Sequence, residues 1–414
     1  MTWIDERRAA GAERFASADL PSGAQEVWRY SRIGDLDVSA YQPVGSPTPG
    51  GSELPPEVAS LVDAIGPRSA LLVTRDGFLV QSDVTHGKFS AGVAVGPEAL
   101  DAIDLPHDAL SALHDATAVA PLVVAVRRGV AVLEPVVVVH LVEAEGAVVA
   151  PRLAVHAAEG AEVTVVELWW SADVEALFLP VTTLVADQAA NLKHVAVQDL
   201  GPRVWSVAHQ GSRVGQNANL SAGAVALGGL YARLRSDTAL EGRGGSSTLL
   251  AAYFGDRHQQ HDFRTLQDHK APDTHSELLF KGAVGGHSHG VYSGLIRVEN
   301  GAKGTRAFQT NRNLVLSETA HADSVPNLEI DENDLSCSHA SAVGPIDDQQ
   351  RFYLEARGVP PRIADRLIVA GFLAEVLERS PVSGLRAPLA ARIARLVEAA
   401  VDSDEALHLS SVGA

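Results

Sequence analysis

VVVVHLV (Val136–Val142), VTVVELW (Val163–Trp169) and LKHVAV (Leu192–Val197) belong to a series of short β-branched runs whose reading decides the fold. The series extends from about Pro121 to Ile330. Its other members are Leu122–Val126, Ser247–Phe254, His275–Phe280, Val291–Val298 and Asn313–Thr319. Gly, Asn, Asp and Pro lie between them. Apolar runs of this length, bounded by turn residues, read as strands. No long amphipathic pattern interrupts them, which excludes an alternating α/β fold and leaves a sandwich, barrel, propeller or solenoid. Loose self-similarity recurs, as between AEGAEVTVVE (Ala158–Glu167) and VENGAKGTRA (Val298–Ala307). Tight hairpin signals are scarce, Asn300-Gly301 being the main one. Repetitive short strands with few hairpins favour a parallel β-helix over an antiparallel sandwich.

The flanks read differently. Residues 1 to about 30 are rich in Ala, Glu and Arg and predict a helix that ends at W-R-Y (Trp28–Tyr30). The segment Pro43–Pro56 reads as an exposed Pro/Gly/Ser linker. A strand at Ala70–Thr74 and a turn at Asp76-Gly77 follow. Beyond Gly344 the pattern becomes helical. Asp347 is placed to cap a helix with Gln350 reaching back, Gly358 to end it, and Pro361 to open the next. Ile363, Leu367, Ala370, Leu373 and Leu377 then recur at helical spacing, as do Leu389, Ile393, Leu396, Val397 and Ala400. Three units are expected: 1–118, largely helical and containing the linker at 43–56; 119–340, the β-helix core; and 341–414, helical.

Composition bounds the function. Hydrophobic residues are 46% of the 414 and aromatics 5%, so Val, Ala and Leu must build the core. A formal charge of −18 argues against nucleic acid and against anionic membrane as partners. One cysteine forbids an intrachain disulfide and fits a reducing, cytoplasmic setting. The start, MTWIDERRAA, lacks the apolar region of a secretory signal, and no apolar run reaches the length of about 18 residues that a membrane helix needs.

That cysteine, Cys337, is two residues from His339 in P-N-L-E-I-D-E-N-D-L-S-C-S-H (Pro326–His339). On an extended strand both would face the same way, roughly 7 Å apart. A thiolate beside an imidazole suits a soft or borderline metal. The same pair could be a thiolate nucleophile with its base, or a buried thiol beside an unrelated histidine. Two ligands do not close a metal site, so a metal reading needs a second subunit. Eight of the sixteen histidines fall between His258 and His339, including His258/His261 and His287/His289. Without H-E-x-x-H or C-x-x-C they read as polar side chains on solvated strand faces. G-H-S-H-G (Gly286–Gly290) matches the nucleophile-elbow string, yet a strand-like VYSGLIRV follows it where a helix is required. No P-loop and no dinucleotide-binding glycine motif is present.

The ordered motifs between residues 253 and 380 resemble the SufB/SufD family of iron–sulfur assembly scaffolds. They are T-L-Q-D-H-K-A-P-D-T-H-S-E (Thr265–Glu277), K-G-A-V (Lys281–Val284), S-G-L-I-R-V (Ser293–Val298) and F-Q-T-N-R-N-L-V-L-S (Phe308–Ser317). P-N-L-E-I (Pro326–Ile330), C-S-H (Cys337–His339) and F-Y-L-E-A-R-G-V (Phe352–Val359) follow, and E-V-W-R-Y (Glu26–Tyr30) resembles the N-terminal motif. Within the family the chain is similar to the SufD branch. It has S-H-A-S-A where a SufB would carry E-H-E-A-T, and Ala340 where glycine is usual.

The resemblance implies a right-handed parallel β-helix flanked by helical N- and C-terminal domains, and a non-enzymatic scaffold. It implies a complex with a SufB-like paralogue and a SufC-like ABC ATPase docked on the C-terminal helices, with a homodimer as the form of the isolated chain. His339 is then the functional residue at the SufB interface and Cys337 the metal-responsive thiol beside it, sharing a transient iron–sulfur cluster across the subunits. Cluster type and any flavin are left open. Two other readings remain: a polysaccharide-binding β-helix, and a hydrolase using Ser288 or Cys337.

Overall fold

The computed structural model describes residues 2–85, 87, 89–93 and 108–402. Its centre is a β-solenoid of about eight coils between residues 122 and 344. Each coil gives a long strand to each of two sheets, and the first coils add the short strands Ala147–Val149 and Ala176–Phe178, so successive long strands are not neighbours in a sheet. His275–Val284 pairs in parallel with Ser246–Gly255 of the coil before and Thr305–Val315 of the coil after. In the other sheet His289–Val298 pairs likewise with Gln260–His269 and His321–Ile330. Registered partners are 29 residues apart from Gln260 to His289 and 32 apart from His289 to His321. Asn300-Gly301 is a turn, with Gly301 at φ 91°, but it sends the chain from one sheet to the other and forms no hairpin.

The valine runs follow from burial on both faces. In the sheet holding Val136–Val142, residues such as Val136, Val138, Val163, Val165, Leu192 and Leu278 line the lumen. Their neighbours Val137, Val139, Val166, Leu168, Val195 and Val197 face outward under the C-terminal helices Pro361–Glu378 and Arg386–Asp402. Parallel strands covered on both sides read as continuous apolar sequence. Leu373, Leu389, Ile393, Val397 and Ala400 are buried in that contact as the periodicity predicts. Ile363 and Leu367 are exposed, so the buried stripe of the first helix instead runs through Ala364, Val369, Leu373 and Val376. Lys281 reaches from the solenoid to this helix, donating to the Phe372 carbonyl at 3.1 Å and pairing with Glu375. Arg392 grips Asp199 through two bonds of 2.7 and 2.9 Å.

The outer face of the other sheet is covered by the N-terminal segment. The expected 30-residue helix is shorter, Trp3–Ser17, closed at its start by a Thr2–Asp5 capping box. E-V-W-R-Y contains a single 3-10 turn, Glu26–Trp28. Trp28 is buried against the Arg233 guanidinium, 3.9 Å from its ring centroid, and Arg233 donates to the Val27 carbonyl at 2.6 Å. The Pro43–Pro56 segment is largely exposed but tied down. Gln42–Pro43 pairs with Ala147–Val148, and Thr48 donates to Asp76. Asp76-Gly77 turns an antiparallel hairpin between Ala70–Arg75 and Phe78–Val84 with both residues at positive φ, 51° and 89°. Such a turn requires that geometry. At the other end Asp347 caps the helix Asp348–Glu355 through the Gln349 amide. Gly358 has φ 82°, and Pro361 opens the next helix.

Candidate functional site

Cys337 and His339 are on the last strand of the solenoid, Leu335–Gly344. This strand pairs with Thr305–Val315 on one side and, among the described residues, with no strand on the other. His321–Ile330 ends the second sheet in the same way. In Thr305–Val315 the inward row is Thr305, Ala307, Gln309, Asn311 and Asn313, all buried. Cys337 is registered with Ala307 and His339 with Gln309. The two therefore share the lumen-facing row of the terminal coil, as the i, i+2 spacing predicts. Among the described residues no further coil covers them.

Their surroundings differ. Cys337 is half-buried against Ile296, Val298, Ala302 and Ala307. Burial pushes its thiol up, and a backbone hydrogen bond at Ala307 pulls it partly back. The free thiol is thus protonated at neutral pH and becomes a ligand or nucleophile when a metal or cationic partner offsets that cost. His339 is exposed. Beside it, Gln309 is 1% exposed and neither of its carboxamide atoms has a hydrogen-bond partner. Ser341, next in the row, donates to the Ser324 hydroxyl at 2.7 Å across the sheets. The edge offers one soft and one borderline donor, half of what a cluster needs.

The other sequence candidates resolve differently. Ser288 is buried and donates to the Gly285 carbonyl at 2.7 Å, fixing a turn between two strands. It is no exposed nucleophile. The histidines are not uniformly on solvated faces. His261 and His269 are fully buried in the lumen, where burial lowers each to about 4. His258 and His287, on neighbouring turns, stack with ring centroids 5.1 Å apart. His289 meets His321 and Asp323 of the next coil. Sequence reasoning also missed a cluster inside the lumen. Glu167 accepts from Thr182, Trp169 and His194 and faces His140, and the carboxyl and both imidazoles are buried. Burial pushes the Glu167 carboxyl up, but hydrogen bonds to His140 and His194 outweigh it and hold it below the usual carboxylate range. The coil repeat is the signal that would have found these contacts: His140 to Glu167 and Glu167 to His194 are each 27 residues apart, and His289 to His321 is 32.

Residues 140–372 match the family described as SUF system FeS cluster assembly, SufBD core domain. The chain belongs to the SufBD family. It is 32% identical over 402 residues to the iron–sulfur cluster assembly SufBD family protein Rv1462 of Mycobacterium tuberculosis, covering 93% of each chain. It is 30% identical over 396 residues to the iron–sulfur cluster assembly protein SufD of Escherichia coli, covering 92% of this chain and 90% of that one. The SufD of Bacillus subtilis is 25% identical over 414 residues, covering 96% and 94%.

The SufBD motifs acquire physical roles in the solenoid. In D-H-K-A-P-D-T-H-S, His269 bonds Thr274 at 2.8 Å and Ser276 at 2.9 Å, and Thr274 meets Thr305 of the next coil at 3.1 Å. These bonds lock one turn and stack the next upon it. In K-G-A-V, Lys281 anchors the C-terminal helix and Gly282 leaves room for the Tyr253 ring below. Among the described residues no helix is long and apolar enough to cross a membrane.

Proposed function

We propose that this chain is a SufD-type scaffold subunit whose terminal coil forms half of an iron–sulfur assembly site. His339 and Cys337 are its donors, and a SufB-like paralogue supplies the rest. The cluster is cargo, built and passed on. The observation that carries the reading is the open end of the solenoid. Two sheet edges stop there, and the chain's cysteine and an exposed histidine share the uncovered row. Unpaired edges are templates for another chain's strands. Ile330 and Val343 are each 43% exposed at the same end, as an uncovered interface would leave them. The half-set of donors supports a shared site in preference to a self-contained one.

The C-terminal helices are the natural mount for a SufC-like ATPase. Phe352 is 70% exposed and Tyr353 56% on the helix Asp348–Glu355, an unusual display of aromatic surface in a chain with few aromatics. A nucleotide-driven movement of that helix would be transmitted to the terminal coil through the short link at Gly344–Asp347. The chain itself is read as non-catalytic.

The test is gentle purification of a tagged copy from a host that makes its partners. Recovery of a longer paralogue and an ABC-type ATPase is expected, with His339→Ala leaving the complex assembled but cluster maturation impaired. A chain that purifies alone, or a His339→Ala variant that matures clusters normally, would sink the reading.

A further inference from the structure

His289, His321 and Asp323 form a second cluster of metal-ligating atoms. It uses none of the residues at the Cys337–His339 edge. His289 and His321 are registered neighbours on adjacent strands, and Asp323 is two residues beyond His321 on the same face. Their donor atoms all lie within 4.8 Å of one another. His289 Nε2 is 2.7 Å from Asp323 Oδ2, and His321 Nε2 is 3.4 Å from Oδ1. The two imidazoles thus already converge on one carboxylate. We propose that these three residues bind a single borderline divalent cation of the Zn2+, Co2+, Ni2+ or Fe2+ class.

The chemistry of the donors sets that class. Two imidazole nitrogens and a carboxylate suit borderline ions, while Ca2+ and Mg2+ prefer sets made of oxygen. The His321 side chain is 66% exposed, so water can complete the coordination shell. Asp323 is only 19% exposed and is held between the two rings, which limits the rearrangement that binding requires.

Gln260, one coil below, tunes the site. Its Oε1 accepts from the Arg32 amide at 2.9 Å and its Nε2 donates to the Tyr30 carbonyl at 2.7 Å, which fixes the orientation of the carboxamide. The same Nε2 faces His289 Nδ1 at 2.9 Å and must donate to it. Without metal, His289 therefore carries its proton on Nε2 and gives it to Asp323. Binding displaces that proton: the ring releases it from Nε2, bonds the ion there, and as a neutral ligand holds its proton on Nδ1 against the Gln260 amino group. Gln260 thus weakens binding.

The test is titration of the purified full chain with Zn2+ by calorimetry and with Co2+ by its visible absorption. One equivalent should bind the wild type. Asp323→Asn and His321→Gln should each weaken it at least tenfold. His321 is exposed, so His321→Gln reports on binding even if another variant misfolds. A Cys337→Ser/His339→Ala variant should still bind one equivalent. The proposal is overturned if the wild type binds no ion, if Asp323→Asn and His321→Gln bind as the wild type does, or if the Cys337/His339 variant loses the ion.

Discussion

Gln309 lies opposite His339 in the terminal ladder, its carboxamide buried and without a hydrogen-bond partner while the histidine beside it is open to solvent. A buried unpaired amide costs about 1–3 kcal/mol. Replacing it with an apolar residue of similar size should return part of that, so Gln309→Leu should stabilise the isolated chain by about 1 kcal/mol in urea unfolding. His339→Ala, at an exposed position, should change stability by no more than about 0.5 kcal/mol. If the two shifts are reversed, the lumen row has been assigned to the wrong side of the strand.

The lumen cluster invites the opposite experiment. Glu167 is the single carboxylate shared by His140 and His194, and all three are buried. Removing one member of such a group strands the others in low dielectric, at a cost of about 3–5 kcal/mol. Glu167→Ala should therefore lower the unfolding free energy by that order. A loss below about 1 kcal/mol would mean that water reaches the cluster.

Acid should destabilise the fold well before the carboxylates titrate. His114, His261 and His269 are all lowered to about 4, principally by burial. The unfolded chain takes up these protons near pH 6.5 and the folded chain does not until about pH 4. Within that window the unfolded state binds more protons, so stability rises with pH and falls as pH is lowered. Each histidine contributes up to about 1.4 kcal/mol per pH unit. Glu167, held low, adds to the loss at still lower pH. Urea midpoints measured from pH 7 to pH 4.5 should fall steadily. A flat profile across that range would contradict neutral buried histidines.

How much of this was legible depends on what the lumen holds. The strands announced by sequence are those with Val or Leu on both faces, such as Val136–Val142. Three that went unread, Val204–Val214, Asn219–Ala226 and Tyr231–Leu240, carry many small or polar residues on their two faces. Ser212, Ala222, Ser236 and Thr238 are buried all the same. The run expected at Asn313–Thr319 overshot for the same reason. The strand is Thr305–Val315, and its inward row includes Gln309, Asn311 and Asn313. In a solenoid these side chains are satisfied or sheltered by the coil above and below, which local periodicity does not register. Cys337 and His339 were readable because their pairing is local, two residues on one strand. His289 with His321, and Glu167 with its two histidines, were not, because each contact spans a whole coil.

Gly282 tests the coil stacking most sharply. It is registered with Tyr253 of the coil below, whose ring lies beneath it in the lumen. A Cβ on Gly282 would come within 2.0 Å of the ring. The ring has little freedom to yield. It packs 5.1 Å from Phe263, and its hydroxyl donates to Asn313 at 2.5 Å. Gly282→Ala should therefore destabilise by about 3 kcal/mol, at the upper end of overpacking costs. Tyr253→Ala alone should cost about 3–5 kcal/mol through the cavity it leaves. In the double variant the new methyl group enters that cavity, so the combined loss should be smaller than the sum of the two single losses by at least about 1 kcal/mol. Strict additivity would mean that the two residues do not share the space, and the registration of these coils would have to be redrawn.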